Sequence, residues 1–249
     1  MEIYSLSWLE LAYCVVALLI AYGLRGSTGF GGALGMAMLV VVIPIKVMVP
    51  AWTLLSIASS LAILGHDRHY IAWREMPAFV PWCLVGIAVG LYLFKALEPD
   101  TLANGLGIVV FLYAVYALSA SLRPRAGWRM SPRLIGPASG VVSGAVGTVF
   151  GTMATPFFVM YLEARQVAKR AFRATMSAML LTLAVVRGVG YWAVGEFSSE
   201  ALIVFAAALP VMLIGIAVGN RIHLGISELA FRRLVGATLL ACSVPLLLK

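Results

Sequence analysis

Carboxylates are scarce in this chain: of 249 residues, ten are Asp or Glu, against 18 Lys and Arg. Only Glu10 falls within an apolar run, near its outer end, while Asp67, Asp100 and the other glutamates sit in or beside connections. A buried Asp or Glu relay for coupling to protons is therefore not visible. Histidine is scarcer still. His66, His69 and His223 lie in connections, so no imidazole is at hand to activate Ser139 or Ser143, and neither serine sits in a G-x-S-G string. An intramembrane enzyme has no nucleophile and base to work with. The three cysteines, Cys14, Cys83 and Cys242, fall in apolar runs without metal or redox spacing and read as packing residues. There is no Walker loop, metal cluster or dinucleotide fingerprint, so no cofactor is expected.

Apolar sequence is what the chain has in abundance. It is 62% hydrophobic and 11% charged, with a mean hydropathy of +1.01 and several continuous runs of about 20 apolar residues. The strands of an outer-membrane barrel alternate apolar and polar residues, and these runs do not. The class is a polytopic helical bundle embedded in lipid. The first span, 6–24, has no basic leader and no small-residue cleavage site, and reads as a retained helix. A net charge of +8 would suggest nucleic acid in a soluble protein. Here the positive charges sit in short loops, where they set orientation, and no nucleic-acid partner is implied.

The string Gly86-Ile87-Ala88-Val89-Gly90 recurs as Gly215-Ile216-Ala217-Val218-Gly219, 129 residues later, with Pro81 over Pro210 and Leu84 over Leu213. A duplicated chain follows. Two loops are strongly basic, one with Arg123, Arg125, Arg129 and Arg133, the other with Arg165, Lys169, Arg170 and Arg173. Both are expected to be cytoplasmic. The 29 residues between them, 134–162, must go in and come back. Two full crossings need about 40 residues, so a re-entrant hairpin or two half-length helices is expected there.

Three ordinary spans follow, near 174–194, 200–220 and 228–248. The loop with Glu196 and Glu200 is expected outside, and the loop with Arg221, Arg232 and Arg233 inside. The first half repeats the plan, with a Gly-broken pair at 6–45 and spans near 48–65, 77–95 and 101–122. Its Arg68 and Arg74 loop falls inside and its Glu98 and Asp100 loop outside. Five elements per half reverse the orientation of the second half. The expected fold is an all-α integral membrane protein of two inverted repeats, each a Gly-broken helix pair or re-entrant hairpin plus three transmembrane helices, about eight to ten membrane segments in all. The first repeat is 1–122, a basic cytoplasmic linker is 123–133, and the second repeat is 134–249. Both termini are expected outside a bacterial-type inner membrane.

The richest local signal is Gly26-Ser27-Thr28-Gly29-Phe30-Gly31-Gly32, matched by Ser143-Gly144 through Gly147-Thr148 to Gly151-Thr152, with Gly26 and Gly29 aligned on Gly144 and Gly147. Glycine permits a helix break, and Ser and Thr satisfy the backbone groups that the break frees. A half-helix starting at a break presents unpaired N–H groups, which favour an anion. Gly86, Gly90, Gly215 and Gly219 instead read as close-packing residues. Arg25 precedes the first break, and Arg187 is the lone charge in 177–191; an arginine so placed faces protein, water or an anion.

The first cluster resembles the G-x-x-G-x-G-G-G break of the sulfite exporter TauE/SafE family of permeases. Gly151 with Pro156 is similar to the end of the second copy, and Phe172-Arg173-Ala174-Thr175-Met176 followed by Arg187 resembles the corresponding later helix. The resemblance implies export of small anions, including sulfite and organosulfonates, across the cytoplasmic membrane. A channel, or an importer of a different small anion, would use the same site. The expected substrate-lining residues are Arg25, Gly26, Ser27, Thr28, Gly29, Gly31, Gly32, Ser143, Gly144, Gly147, Thr148, Gly151, Thr152 and Arg187, with Ser56, Ser59, Thr175 and Ser177 from following helices. The partners are a small anionic solute and the bilayer, and the chain length allows a homodimer.

Overall fold

The structure is a computed structural model that describes residues 7–28, 32–122, 132–152, 154–165, 167, 169–221 and 238–246. All regular structure among these is helical. The helices are α1 (Trp8–Thr28), α2 (Gly32–Leu39), α3 (Ile45–Asp67), α4 (Met76–Ala96), α5 (Pro99–Leu122), α6 (Pro132–Val149), α7 (Thr155–Ala164), α8 (Lys169–Ala193) and α9 (Ser199–Arg221). A further helical segment, α10, covers 238–246.

Six of these, α1, α3, α4, α5, α8 and α9, contain stretches long and apolar enough to cross a bilayer. At 1.5 Å per residue, α2 and α7 reach only about 12 and 15 Å, half of a hydrocarbon core about 30 Å thick. The expected spans at 48–65, 77–95, 101–122, 174–194 and 200–220 correspond to α3, α4, α5, α8 and α9. Most of the span expected at 228–248 lies outside the described residues, as do Gly29 and Gly31 and the linker arginines Arg123, Arg125 and Arg129.

The helix ends follow from local chemistry. Ser7 and Glu10 form a capping box at the start of α1: the Glu10 amide donates to Ser7 Oγ at 3.3 Å, and the Ser7 amide donates to the Glu10 carboxylate at 2.8 Å. Glu10, the one carboxylate within an apolar run, is partly exposed and engaged at a helix start. At the far end of α6, Gly151 takes φ +70°, a left-handed conformation that stops the helix.

Helix runs further into both glycine clusters than their pattern implied. Gly26, Ser27 and Thr28 belong to α1, and Gly144 and Gly147 lie inside α6, which runs unbroken through Gly136, Pro137 and Gly140. Among the described residues α1 is helical through Thr28 and α6 through Val149, so Gly26, Gly144 and Gly147 are not themselves break positions. The reason is packing. A Cβ at Gly144 would lie 2.4 Å from the Cys83 carbonyl, and one at Gly86 2.2 Å from the Val141 carbonyl, so these glycines let α4 and α6 touch backbone to backbone. The second copy of the repeated string does the same for α9 and α1: a Cβ at Gly219 would lie 2.0 Å from the Gly23 carbonyl. Gly86 and Gly219 are packing residues, as their sequence suggested.

Helix α1 packs on α9, α6 on α4 and α3 on α8, with α3 also against α9 and α4 against α8. The core fills with Trp52, Tyr22, Met36, Leu55, Phe94 and Tyr191 on one side and Phe79, Phe158 and Tyr161 on the other. Apolar side chains also cover the outer surface, among them Val85, Val89, Tyr92, Phe111, Leu112, Leu213, Ile214 and Val218. A helix apolar on its exposed face is suited to lipid.

One polar contact fixes which connections share an end of the bundle. Arg165, just after α7, meets Glu75, just before α4, in a two-pronged ion pair of 2.7 and 3.1 Å, and the Tyr161 hydroxyl donates to the same carboxylate at 2.8 Å. The Arg74 connection and the Arg165 connection, both expected on one side from their charge, therefore lie together. The connections with Glu98 and Glu196 follow the far ends of α4 and α8.

Candidate anion site

The start of α2 and the turn after α6 face each other. Gly32, first residue of α2, is close enough to the second break that a Cβ on it would lie 3.1 Å from Thr152 Oγ1, and Gly151 packs against Met36 of α2 and Val49 of α3. Between them is a small cavity lined by Arg25, Gly32, Trp52, Ser56, Gly151, Thr152, Ala154, Thr155, Leu180, Leu183 and Arg187. Both half-helices begin at this cavity, α2 with Gly32 and α7 with Thr155. Their first-turn N–H groups and the positive ends of their dipoles are thus brought together.

Two arginines complete the lining. Arg25 stands in the last turn of α1 and is 6% exposed; Arg187 stands in α8 and is 3% exposed. The Arg25 guanidinium donates to Ser60 Oγ at 3.0 Å. Arg187 donates to the Gly147 carbonyl near the end of α6 and to Ser56 Oγ at 3.4 Å. Four residues further along α8, the Tyr191 hydroxyl donates to the Thr148 carbonyl. These contacts occupy two carbonyls that the end of α6 leaves free.

What the arginines lack decides the chemistry. Among the described residues no carboxylate lines the cavity, and neither guanidinium has an ion-pair partner. The Nε of each is buried with no hydrogen-bond partner. An arginine at the centre of a membrane helix costs at least about 2.5 kcal/mol on insertion scales, so two of them, uncompensated, favour a negatively charged ligand strongly. The carbonyl ends of α1 and α6 offset part of this field, but each carries only about half a charge against the full charge of each guanidinium.

Of the expected lining residues, Arg25, Gly32, Ser56, Gly151, Thr152 and Arg187 come together here. Others serve different contacts. A Cβ at Gly26 would lie 2.8 Å from the Ile216 carbonyl, on the α1 and α9 contact, and Gly144 is on the α4 and α6 contact. Gly147 supplies a carbonyl to Arg187. Ser143 Oγ donates to the Gly140 carbonyl at 3.1 Å, and Ser59 Oγ donates to the Ser56 carbonyl at 3.2 Å. Thr175 Oγ1 accepts from the Ala72 amide at 2.9 Å. Thr148 and Ser177 are buried, the former with its hydroxyl unpaired. The helical backbone of α1 includes Ser27 and Thr28.

Ser60, Trp52, Thr155 and the leucines of α8 were not singled out from sequence. Ser60 had a usable signal: it lies one helical turn beyond Ser56, on the same face of α3, whereas Ser59 bonds back to its own helix.

The family model for the sulfite exporter TauE/SafE matches residues 13–246. The probable inner membrane transporter protein TsaS of Comamonas testosteroni is 25% identical over 197 residues, covering 78% of this chain and 80% of that protein. The probable sulfite/organosulfonate exporter TauE of Cupriavidus necator is 26% identical over 229 residues, covering 89% and 87%. No solved structure matches. With the match running over nearly its whole length, the chain belongs to the sulfite exporter TauE/SafE family and is a membrane transporter.

Proposed function

We propose that the protein exports small anions, sulfite or organosulfonates, across the inner membrane by alternating access around the two helix breaks. The observation that carries this reading is the pair of buried, carboxylate-free guanidinium groups, Arg25 and Arg187, in a cavity where two half-helices start. Trp52, Leu180 and Leu183 give the cavity an apolar side for the carbon part of an organic sulfonate. The relative from Cupriavidus necator carries sulfite/organosulfonate in its name, which agrees with such a ligand.

The pairing of helices supports two oppositely oriented repeats. The first helix of each half packs on the fourth element of the other, α1 on α9 and α6 on α4, while the third elements, α3 and α8, pack on each other. A two-fold axis in the membrane plane would generate this pattern, and the site lies where the halves meet. Alternating access is then a rocking of one set of helices against the other, with α2 and α7 carried along.

The test is efflux of sulfite, sulfoacetate, sulfate and a simple carboxylate from proteoliposomes under an imposed inside-negative potential. Saturable efflux of sulfite or the sulfonate, lost in Arg187→Gln, is the expected result. Folded protein that moves none of them removes the reading.

A further inference from the structure

Ser56 and Ser60 are four residues apart on α3, hence on one face and about 6 Å apart along the axis. Ser60 Oγ accepts from Arg25 at 3.0 Å, and Ser56 Oγ accepts from Arg187 at 3.4 Å. The arginines come from α1 and α8, distant in sequence, yet one turn of a single helix holds both. Resting on the anion-site reading above, we propose that this serine pair fixes the two guanidinium groups as a spaced couple, and that the site thereby selects doubly charged anions over singly charged ones. The class is sulfite as its dianion, or a short organic sulfonate bearing a second acid group.

Charge balance leads to this. The formal charges lining the cavity are two cations, with no carboxylate among the described residues. A monoanion leaves one buried cation uncompensated, whereas a dianion neutralises both, and the difference counts for more in a low-dielectric interior than at a surface. Hydrogen-bond geometry points the same way. After the bonds to Ser60, Ser56 and Gly147 are made, each arginine still has a buried, unpaired Nε–H, so each can give a charge-assisted bond to a separate acidic group. The first turns of α2 and α7 add partial positive charge and no counter-ion.

Ser56 and Ser60 act through the arginines and are positioning residues. If they merely satisfied buried donors, removing one would weaken all ligands alike. If they set the spacing of the couple, removal penalises the dianion selectively.

The experiment compares sulfoacetate, with two charges, and sulfoacetamide, a monoanion of nearly the same size, in proteoliposomes of the full chain. Wild type is expected to favour sulfoacetate by about tenfold or more in kcat/KM. Ser60→Ala is expected to lower that ratio several-fold, mainly through KM for the dianion, and Ser60→Thr to restore it. Thermal stabilisation of the detergent-purified protein by the same two anions gives the preference independently of flux, and wild type alone suffices for that comparison. Equal preference in wild type, or a Ser60→Ala loss shared evenly by both anions, overturns charge selection while leaving the anion site standing. Movement of neither anion, nor of sulfite, by folded protein removes the anion site and the selection together.

Discussion

Gly32 and Thr152 bring the two interrupted halves into contact: a methyl on the first would meet the hydroxyl of the second at 3.1 Å. The contact lies on the cavity wall beside Trp52, whose Nε1 is 3.8 Å from the same point. Gly32→Ala pushes on a side chain that can turn, but Gly32→Val places two further carbons in the cavity. Gly32→Val is expected to abolish flux while leaving the melting temperature within a few degrees of wild type, because the added bulk occupies space the ligand would use. Flux and thermal melting of the same preparation check this. Unchanged flux would place the ligand elsewhere.

Arg187 has two roles that substitution can separate. It caps a free carbonyl of α6 and it supplies charge to the cavity. Arg187→Lys keeps the charge but loses the fork that reaches Gly147 and Ser56 together, so a KM increase of roughly tenfold is expected. Arg187→Gln removes the charge and is expected to reduce kcat/KM by about a hundredfold or more, since one charge-assisted bond and half of the buried field are lost together. Anion titration of the two variants against wild type measures both effects. Equal behaviour of the Lys and Gln variants would mean that the cap, rather than the charge, is what transport needs.

The glycines divide into those that must be bare and those that need not be. At Gly144 the nearest atom to a new Cβ is a carbonyl at 2.4 Å, so Gly144→Ala has to separate α4 from α6. Destabilisation of about 1–3 kcal/mol or more is expected, read as a lower melting temperature. Gly65, late in α3, has nothing within 4 Å of its Cβ position. Gly65→Ala is expected to stabilise by up to about 1 kcal/mol through helix propensity alone. A neutral Gly144→Ala would show that the helices can part at no cost.

The repeated string made this packing legible in the sequence, because one sequence fragment used twice at small-residue spacing implies one contact made twice. Length and apolar runs likewise gave α3, α4, α5, α8 and α9, and the isolated charges pointed to Arg25 and Arg187. The exact position of the second break was hidden, since a glycine inside a helix and one that ends a helix look alike until the neighbouring backbone is known. Gly144 is silent in α6 because α4 covers it, while Gly151 ends the helix in a left-handed turn. The spacing from Ser56 pointed to both Ser59 and Ser60, and a related fact was needed to tell them apart. Which of two adjacent serines reaches an arginine of the site depends on the rotation of α3, and that rotation is set by its packing on α8 and α9.

Glu75 and Arg165 tie the start of α4 to the end of α7 on one face of the bundle. Arg165 is 42% exposed, so solvent screens the pair, and either single substitution, Glu75→Gln or Arg165→Gln, is expected to cost no more than about 1 kcal/mol. A double-mutant cycle on melting temperature measures the coupling. The pair also reports orientation. Cysteines placed at 75 and 165 are expected to react with an impermeant thiol reagent only from the cytoplasmic side, with a reporter fused after Lys249 reading outside. Labelling of 75 and 165 from opposite sides would contradict their contact, and labelling of both from outside would invert the topology.

Energy coupling follows from what the cavity lacks. No carboxylate among the described residues lines it, and Glu10 is engaged in capping α1 at an exposed end, so proton transfer has no evident carrier along the path. An inside-negative potential of 100 mV favours the exit of each negative charge by about 2.3 kcal/mol, roughly a fiftyfold gradient, and of a dianion by about twice that free energy. Arginine stays protonated throughout the working pH range, so the site keeps its charge when pH changes. Flux of a permanently charged sulfonate is therefore expected to rise with an imposed inside-negative potential and to be indifferent to a pH gradient at fixed voltage. Efflux from proteoliposomes clamped with potassium and valinomycin, with and without a pH step, checks both. A flux that ignores the voltage and follows the pH gradient would require a proton carrier, and Tyr22, whose hydroxyl is buried and unpaired, would be the first residue to test.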